Sequence, residues 1–248
     1  MKNIKYGFNI EGKDHELEMI YVEGTAEGLY LFGTDEKRQV SIKDFFISKL
    51  PVTQSLWKHI MGENSNPSTI KNNDMPVENV SWNEITQDGF LEKINRSNIL
   101  TALKENLREP GMKFRLPSET EWEYAARGGK HWKDNFLHSG SNEIDKVAWY
   151  QKNSWDRMHV AGQKAANQLG IYDMNGNVWE WCQDYFHDDI NKIPGDGSPS
   201  NENSDSKVLR GGCFHNWAIH CTVSKRYEIM PEYKDGCIGF RLALSIQV

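Results

Sequence analysis

Apolar positions change rhythm along this chain. In ELEMIYVEG and KRQVSIKDFFISKLPV, apolar and β-branched residues alternate with polar ones, and the runs end at Gly or Pro. A period of two predicts strands. In TQSLWKHIMG the spacing lengthens to a helical one. Thr53 stands at the N-cap, Leu56, Trp57, Ile60 and Met61 share one face, and Gly62 stops it. SWNEITQDGFLEKIN predicts a second helix with capping-box spacing from Ser81 to Glu84. Ile85, Leu91 and Ile94 turn inward, and Gly89 weakens the middle. LPSETEWEYAARGG predicts a third, with Ser118 and Glu121 as the box, Trp122, Ala125 and Ala126 on the core face, and Gly128–Gly129 as the stop. Beyond about residue 130 the helical period disappears. Short Trp-rich stretches punctuated by Gly and Asn follow, then the polar loop HDDINKIPGDGSPSNENSDSK, and GCIGFRLALSIQV reads as a final strand. With no linker and no repeat, the expectation is a single α+β domain over residues 1–248 with little regular secondary structure.

Composition sharpens this in two ways. Nine Trp among 248 residues favour a folded, aromatic-rich core over disorder. A net charge of -6 offers no electrostatic case for binding nucleic acid. No apolar run reaches the length of a signal peptide or membrane helix, so the expected setting is cytoplasmic, with no membrane partner. Four cysteines are too few for a disulfide scaffold, and no C-x-x-C, H-E-x-x-H, Walker or G-x-G-x-x-G pattern is present.

Candidate chemistry concentrates in VLRGGCFHNWAIHC. Cys213 and Cys221 sit beside His215 and His220, and three readings stay open: small buried hydrophobes, a redox pair, or a soft-metal pair. Cys182 and Cys237 read as packing residues. Aromatic bodies with polar handles follow the motif. Phe214, His215, Asn216, Trp217, His220, Arg226, Tyr227 and Tyr233 are the candidate ligand-binding residues. YDMNGNVWEW alternates Asp173, Asn175 and Asn177 like an EF-hand loop, but Val178 occupies the position where that loop requires Gly.

Four segments in order, MPVENVSWNEI, FRLPSETEWEYAARGG, GIYDMNGNVWEWCQDYF, and VLRGG followed by GCIGFRLAL, resemble the formylglycine-generating enzyme family, the sulfatase-modifying factor domains. The resemblance implies a variant of the C-type lectin fold. It also implies either copper-dependent oxidation of a sulfatase-peptide cysteine, or ligand binding of the kind found in variable proteins of diversity-generating retroelements. The family's active enzymes hold copper between two cysteines, since Cu(I) prefers thiolates. Aligned on residues 210–212, the second falls on Cys221 and the first on Asn216, whose amide cannot replace a thiolate. The expected function is therefore a binding module for a protein or peptide in the C-terminal groove. The alternative is an oxidoreductase with Cys213 and Cys221 as a displaced copper pair. The resemblance also implies a structural Ca²⁺ held by Asp173, Gly176, Val178 and Glu180; the competing reading pairs Glu180 with Arg241.

Overall fold

The computed structural model describes residues 2–25, 29–34, 36–107 and 110–245. In chain order it runs β1 (Ile4–Ile10), β2 (Lys13–Val22), β3 (Tyr30–Gly33), β4 (Lys37–Val40), β5 (Phe45–Ser48), α1 (Gln54–Met61), α2 (Trp82–Thr86), α3 (Phe90–Asn95) and α4 (Asn98–Leu107). Then follow β6 (Lys113–Arg115), α5 (Glu119–Ala126), α6 (Ile144–Val147), β7 (Trp179–Tyr185), β8 (Lys207–Arg210), β9 (Arg226–Ile229), β10 (Ile238–Phe240) and β11 (Ala243–Ser245). No helix among the described residues is long and apolar enough to cross a membrane.

A five-stranded antiparallel sheet, ordered β1-β2-β5-β11-β6, forms the frame. Its side chains split by the pleat. Met19, Phe46 and Phe114 pack with Leu56 and Trp57 of α1, Phe90 and Ile94 of α3, and Leu103 of α4. Ile20, Phe45 and Ile47 point the other way, towards Trp122, Ala125 and Ala126 of α5. Both faces are covered, which is why the whole of β5 is buried despite its alternation. A second sheet, β10-β7-β8-β9, stands beside the frame. β7 contributes Trp181, fully buried with its indole N–H donating to the Val80 carbonyl at 2.9 Å. Truncating such a side chain to Ala costs about 3–5 kcal/mol.

The capping boxes at Ser81–Glu84 and Ser118–Glu121 form in both directions, and Thr53 accepts from the Leu56 N–H. Three expectations need correction. SWNEITQDGFLEKIN is two helices, because α2 and α3 part at Gly89, where a Cβ would lie 1.9 Å from the Glu84 carbonyl oxygen. KRQVSIKDFFISKLPV holds two strands, β4 and β5, in different sheets. GCIGFRLALSIQV also divides. β10 runs parallel to β7, and β11 crosses into the frame between β5 and β6; the predicted continuation over residues 246–248 lies outside the described residues. β1, β3, β6, β8, β9, α4 and α6 were not among the predicted elements. β1 joins β2 through a tight turn at Glu11 (φ 52°) and Gly12 (φ 80°), the left-handed pair that suits a two-residue hairpin.

Candidate functional site

The RGG turn that ends β8 is anchored from inside. α5 is buried on every side, so its carboxylates must be paired. Arg210, fully buried, donates to Glu119 Oε1 and to Glu123 Oε2, each at 2.7 Å, and to the Val223 carbonyl at 2.5 Å. Glu119 and Glu123 are one helical turn apart, so a single planar guanidinium spans both. Arg127 and the Tyr30 hydroxyl also donate to Glu123. Burial pushes the Glu123 carboxyl up, but Arg210 and Arg127 outweigh it and hold it below the usual carboxylate range.

Outside this anchor the chain reverses sharply. Gly211 and Gly212 have φ of 95° and 75°. A Cβ on Gly212 would lie 2.7 Å from Cys221 Sγ and 2.8 Å from the His220 carbonyl oxygen, so the glycine lets the returning strand of the loop pass close. Asn216 closes the turn. Its Oδ1 accepts from the Cys213 N–H at 2.9 Å, and its own N–H donates to the Cys213 carbonyl at 3.0 Å. Cys221 is fully buried, with Sγ 3.8 Å from the Cys213 carbonyl oxygen. Burial first, and neighbouring Cys213 second, push its thiol up to about 12. Cys237 is half-buried and packs against the same apolar cluster that contains Cys213. These donors do not fit a two-thiolate copper site. One position is an amide whose oxygen already closes the turn, which leaves a single thiol where two are needed.

The surface above the turn is aromatic. Trp217 is 66% and Ile219 72% exposed, and His215 is exposed beside them. His215 Nδ1 lies 2.5 Å from Asp156 Oδ1, which brings the loop 150–159 to the same face. Hydrogen bonds from the Gln151 N–H to the Asn216 carbonyl and from Ser154 Oγ to the Phe214 carbonyl fix that alignment. Trp155, 73% exposed, projects from this loop with φ of 52°, and Asp156 follows at 57°. Two consecutive non-glycine residues in the left-handed region store strain of about 1–2 kcal/mol each. Trp155 leans towards His159, which stacks on Trp149 at 3.8 Å. Nothing in the periodicity marked Trp155; the available signal was a Trp in the polar run NSWDR.

The other predicted binding residues divide. Tyr227 is exposed over Trp179, and Tyr233 is exposed near it in sequence. His220 is half-buried, and Phe214 is buried in the core. Arg226 does not stand free. Its guanidinium is bidentate on Glu119, at 2.7 and 2.8 Å, so it belongs to the buried anchor.

The calcium set also divides. Asp173 Oδ1 is buried without a partner, as a cation ligand would be, and burial pushes the carboxyl up to about 6. Glu180, by contrast, accepts from Arg241 at both oxygens (2.6 and 2.7 Å) and from the Trp122 indole at 2.6 Å. Arg241 already supplies its countercharge. Asp173, Gly176, Val178 and Glu180 together therefore do not fit a calcium cage. Among the described residues no cluster of three or more His, Cys, Asp or Glu is disposed to hold a metal.

A groove of about 720 Å³ lies elsewhere, between α2–α3, β6 and the Pro199 loop, and contains none of the predicted site residues. Size alone does not make it the site. Its lining mixes charged surface residues such as Asp88, Arg96 and Lys113 with the buried Leu91 and Phe114, whereas the exposed Trp155 and Trp217 gather above the RGG turn.

A sequence profile of the sulfatase-modifying factor enzyme 1-like domain matches residues 10–246, and the chain belongs to that family. The chain is 34% identical to the chaperone protein LppX of Paenibacillus barcinonensis over 68% of this chain and 71% of that one. It is 25% identical to the mouse formylglycine-generating enzyme over 78% of this chain, but spans only 50% of the enzyme's length. Among solved structures it is similar to variable protein 1 of Treponema denticola, with a TM-score of 0.77 and 26% identity over 97% of this chain and 98% of that one. PvdO from Pseudomonas aeruginosa shares the fold, with a TM-score of 0.70 at 24% identity over 92% and 94% of the two chains. The mixed helix-and-strand architecture is that of these formylglycine-generating-enzyme-like and C-type-lectin-like proteins.

Proposed function

We propose that this chain is a binding member of its family, taking a protein or peptide on the face above the RGG turn, and that it lacks the orthodox copper-dependent oxidation. One observation carries the reading: at the same turn the sulfur chemistry is withdrawn and the apolar surface is presented. Asn216 is locked into the turn and Cys221 is buried with its thiol held protonated, while Trp155, Trp217 and Ile219 stand in solvent. Exposed Trp with strained backbone beneath it is costly to keep without a partner. Similarity to the Treponema variable protein along nearly the whole chain supports the retroelement-diversified type of binder. The displaced copper pair is not favoured, because Cys221 turns its sulfur to the Cys213 carbonyl.

The test has two arms. Panning a random peptide library on the protein is expected to return binders that lose at least about tenfold in affinity, or 1.4 kcal/mol, on Trp217→Ala or Trp155→Ala. Incubation of a C-x-P-x-R peptide with copper and dioxygen is expected to leave its cysteine unchanged. Conversion to formylglycine, abolished by Cys221→Ala, would overturn the proposal.

A further inference from the structure

The exposed aromatic face carries a charge that the chain as a whole does not share. Two loops build it, residues 150–159 and 213–221. The second contains no carboxylate, and the charged residues of the first are Lys152, Asp156 and Arg157. Asp156 is already engaged, with Oδ1 2.5 Å from His215 Nδ1. The helix before these loops, α6, brings two further carboxylates, and both are occupied. Glu143, at its N-cap, pairs with Lys146 at 2.6 Å. Asp145 accepts from the Tyr150 hydroxyl at 2.9 Å and from Asn153 Nδ2 at 3.4 Å. Lys152 and Arg157 are both exposed, and among the described residues neither has a carboxylate within ion-pair distance. The two loops are therefore a basic spot on a chain of net charge -6.

Arg157 is also placed. Its guanidinium lies over the Trp155 ring, 5.8 Å from the centroid. A cation–π contact leaves the N–H donors of the fork unspent. A free guanidinium fork beside an exposed indole suits a carboxylate carried next to an apolar side chain. We infer, resting on the binding reading of this face, that its partner is an acidic peptide segment in which an Asp or Glu side chain neighbours an apolar one. The apolar group packs against Trp155 and Trp217. Arg157 takes the carboxylate as a bidentate partner, and Lys152 adds to the attraction. At physiological salt, charges are screened over about 8 Å, so a docked segment feels these two cations and not the distant acidic surface. The same two cations repel basic segments, which makes charge a second criterion of selection beside apolar area.

The experiment selects binders from a random peptide library on the whole chain. The strongest is resynthesised beside its amide analogue, with Asp or Glu replaced by Asn or Gln. Enrichment of Asp and Glu next to an apolar residue is expected. Arg157→Gln is expected to weaken the acidic peptide about fivefold and the amide analogue less than about twofold. Selection on Arg157→Glu should turn the enriched charge from acidic to basic. Because Arg157 is exposed, the Tm of both variants should stay within about 2 °C of the parent. Binders without acidic enrichment, or equal losses for the acidic and amide peptides, would overturn the inference. If those same binders still lose affinity on Trp217→Ala, the binding reading stands without it. Binders indifferent to both Trp155→Ala and Trp217→Ala, or no binders at all, would overturn the binding reading and the acidic partner together.

Discussion

The two sides of the RGG turn are built on opposite rules. Inside, Arg210 and Arg226 are charged groups pressed among carboxylates on a buried helix, with two ion-pair partners for one guanidinium. Outside, a few residues along the chain, Trp217 and Ile219 are apolar and stand in water. Charge where apolar groups belong, and apolar groups where charge belongs, is an inversion within one loop. The buried side cannot move without uncovering charge, so it holds the turn. The exposed side contributes little to the fold and is free to serve a partner.

The largest effect expected is from Arg210→Met. It leaves Glu119 and Glu123 without their shared partner, and urea unfolding should show a loss of about 3–5 kcal/mol. The reverse outcome, a variant as stable as the parent, would mean the anchor is not the structural half. Next comes the pH dependence of that half. Asp184 accepts the Glu119 N–H that opens α5, and burial, followed by the nearness of Glu119, pushes its carboxyl up to about 7. A folded-state value above the unfolded one means the folded state binds the proton more tightly. The contribution is therefore fully present below about pH 4 and lost as pH rises through about 7, an upper bound near 4 kcal/mol. Asp184→Asn should flatten the fall of Tm between pH 5 and 8.

Gly212→Ala tests the junction between the two sides. Its Cβ meets Cys221 Sγ and backbone at a left-handed φ, so a loss of about 2 kcal/mol is expected in chemical denaturation. On the exposed side the effects should be small. Trp217→Ala should stay within about 0.5 kcal/mol of the parent, and Trp155→Gly should be neutral or slightly stabilising because glycine accepts φ of 52°. Marked destabilisation by either would move that residue to the structural half. The smallest change concerns chelation. With Arg241 neutralising Glu180, EDTA should shift Tm by less than about 1 °C. A larger drop, restored by Ca²⁺ and absent in Asp173→Asn, would show that the free Asp173 oxygen holds a cation.

Local signals in the chain were reliable where the physics is local. Ser81, Ser118 and Thr53 cap helices because a hydroxyl three residues from a free N–H meets it within a single turn. Leu56, Trp57 and Ile94 were legible as core from spacing alone, and so was Cys182, which is fully buried. The four ordered motifs, at residues 75–85, 114–129, 170–186, and 208–212 followed by 236–244, carried the family. Arg226 was misread for a physical reason: a guanidinium beside aromatics looks the same in sequence whether it faces a ligand or a carboxylate. Its partner Glu119 is 107 residues away.

By itself, then, the chain determined its family, its three capped helix starts, its aromatic core and the absence of one copper-position thiol at Asn216. Tertiary structure decided which charges were spent. It gave Glu180 to Arg241, Glu119 to both Arg210 and Arg226, and the Cys221 sulfur to the Cys213 carbonyl. It also raised Trp155 onto the exposed face above the RGG turn by a left-handed turn that no hydrophobic pattern encodes. Hydrophobic periodicity reports only which way a side chain points from its own backbone. What it meets there depends on residues brought close by the sheets, and that information exists only once the chain has folded.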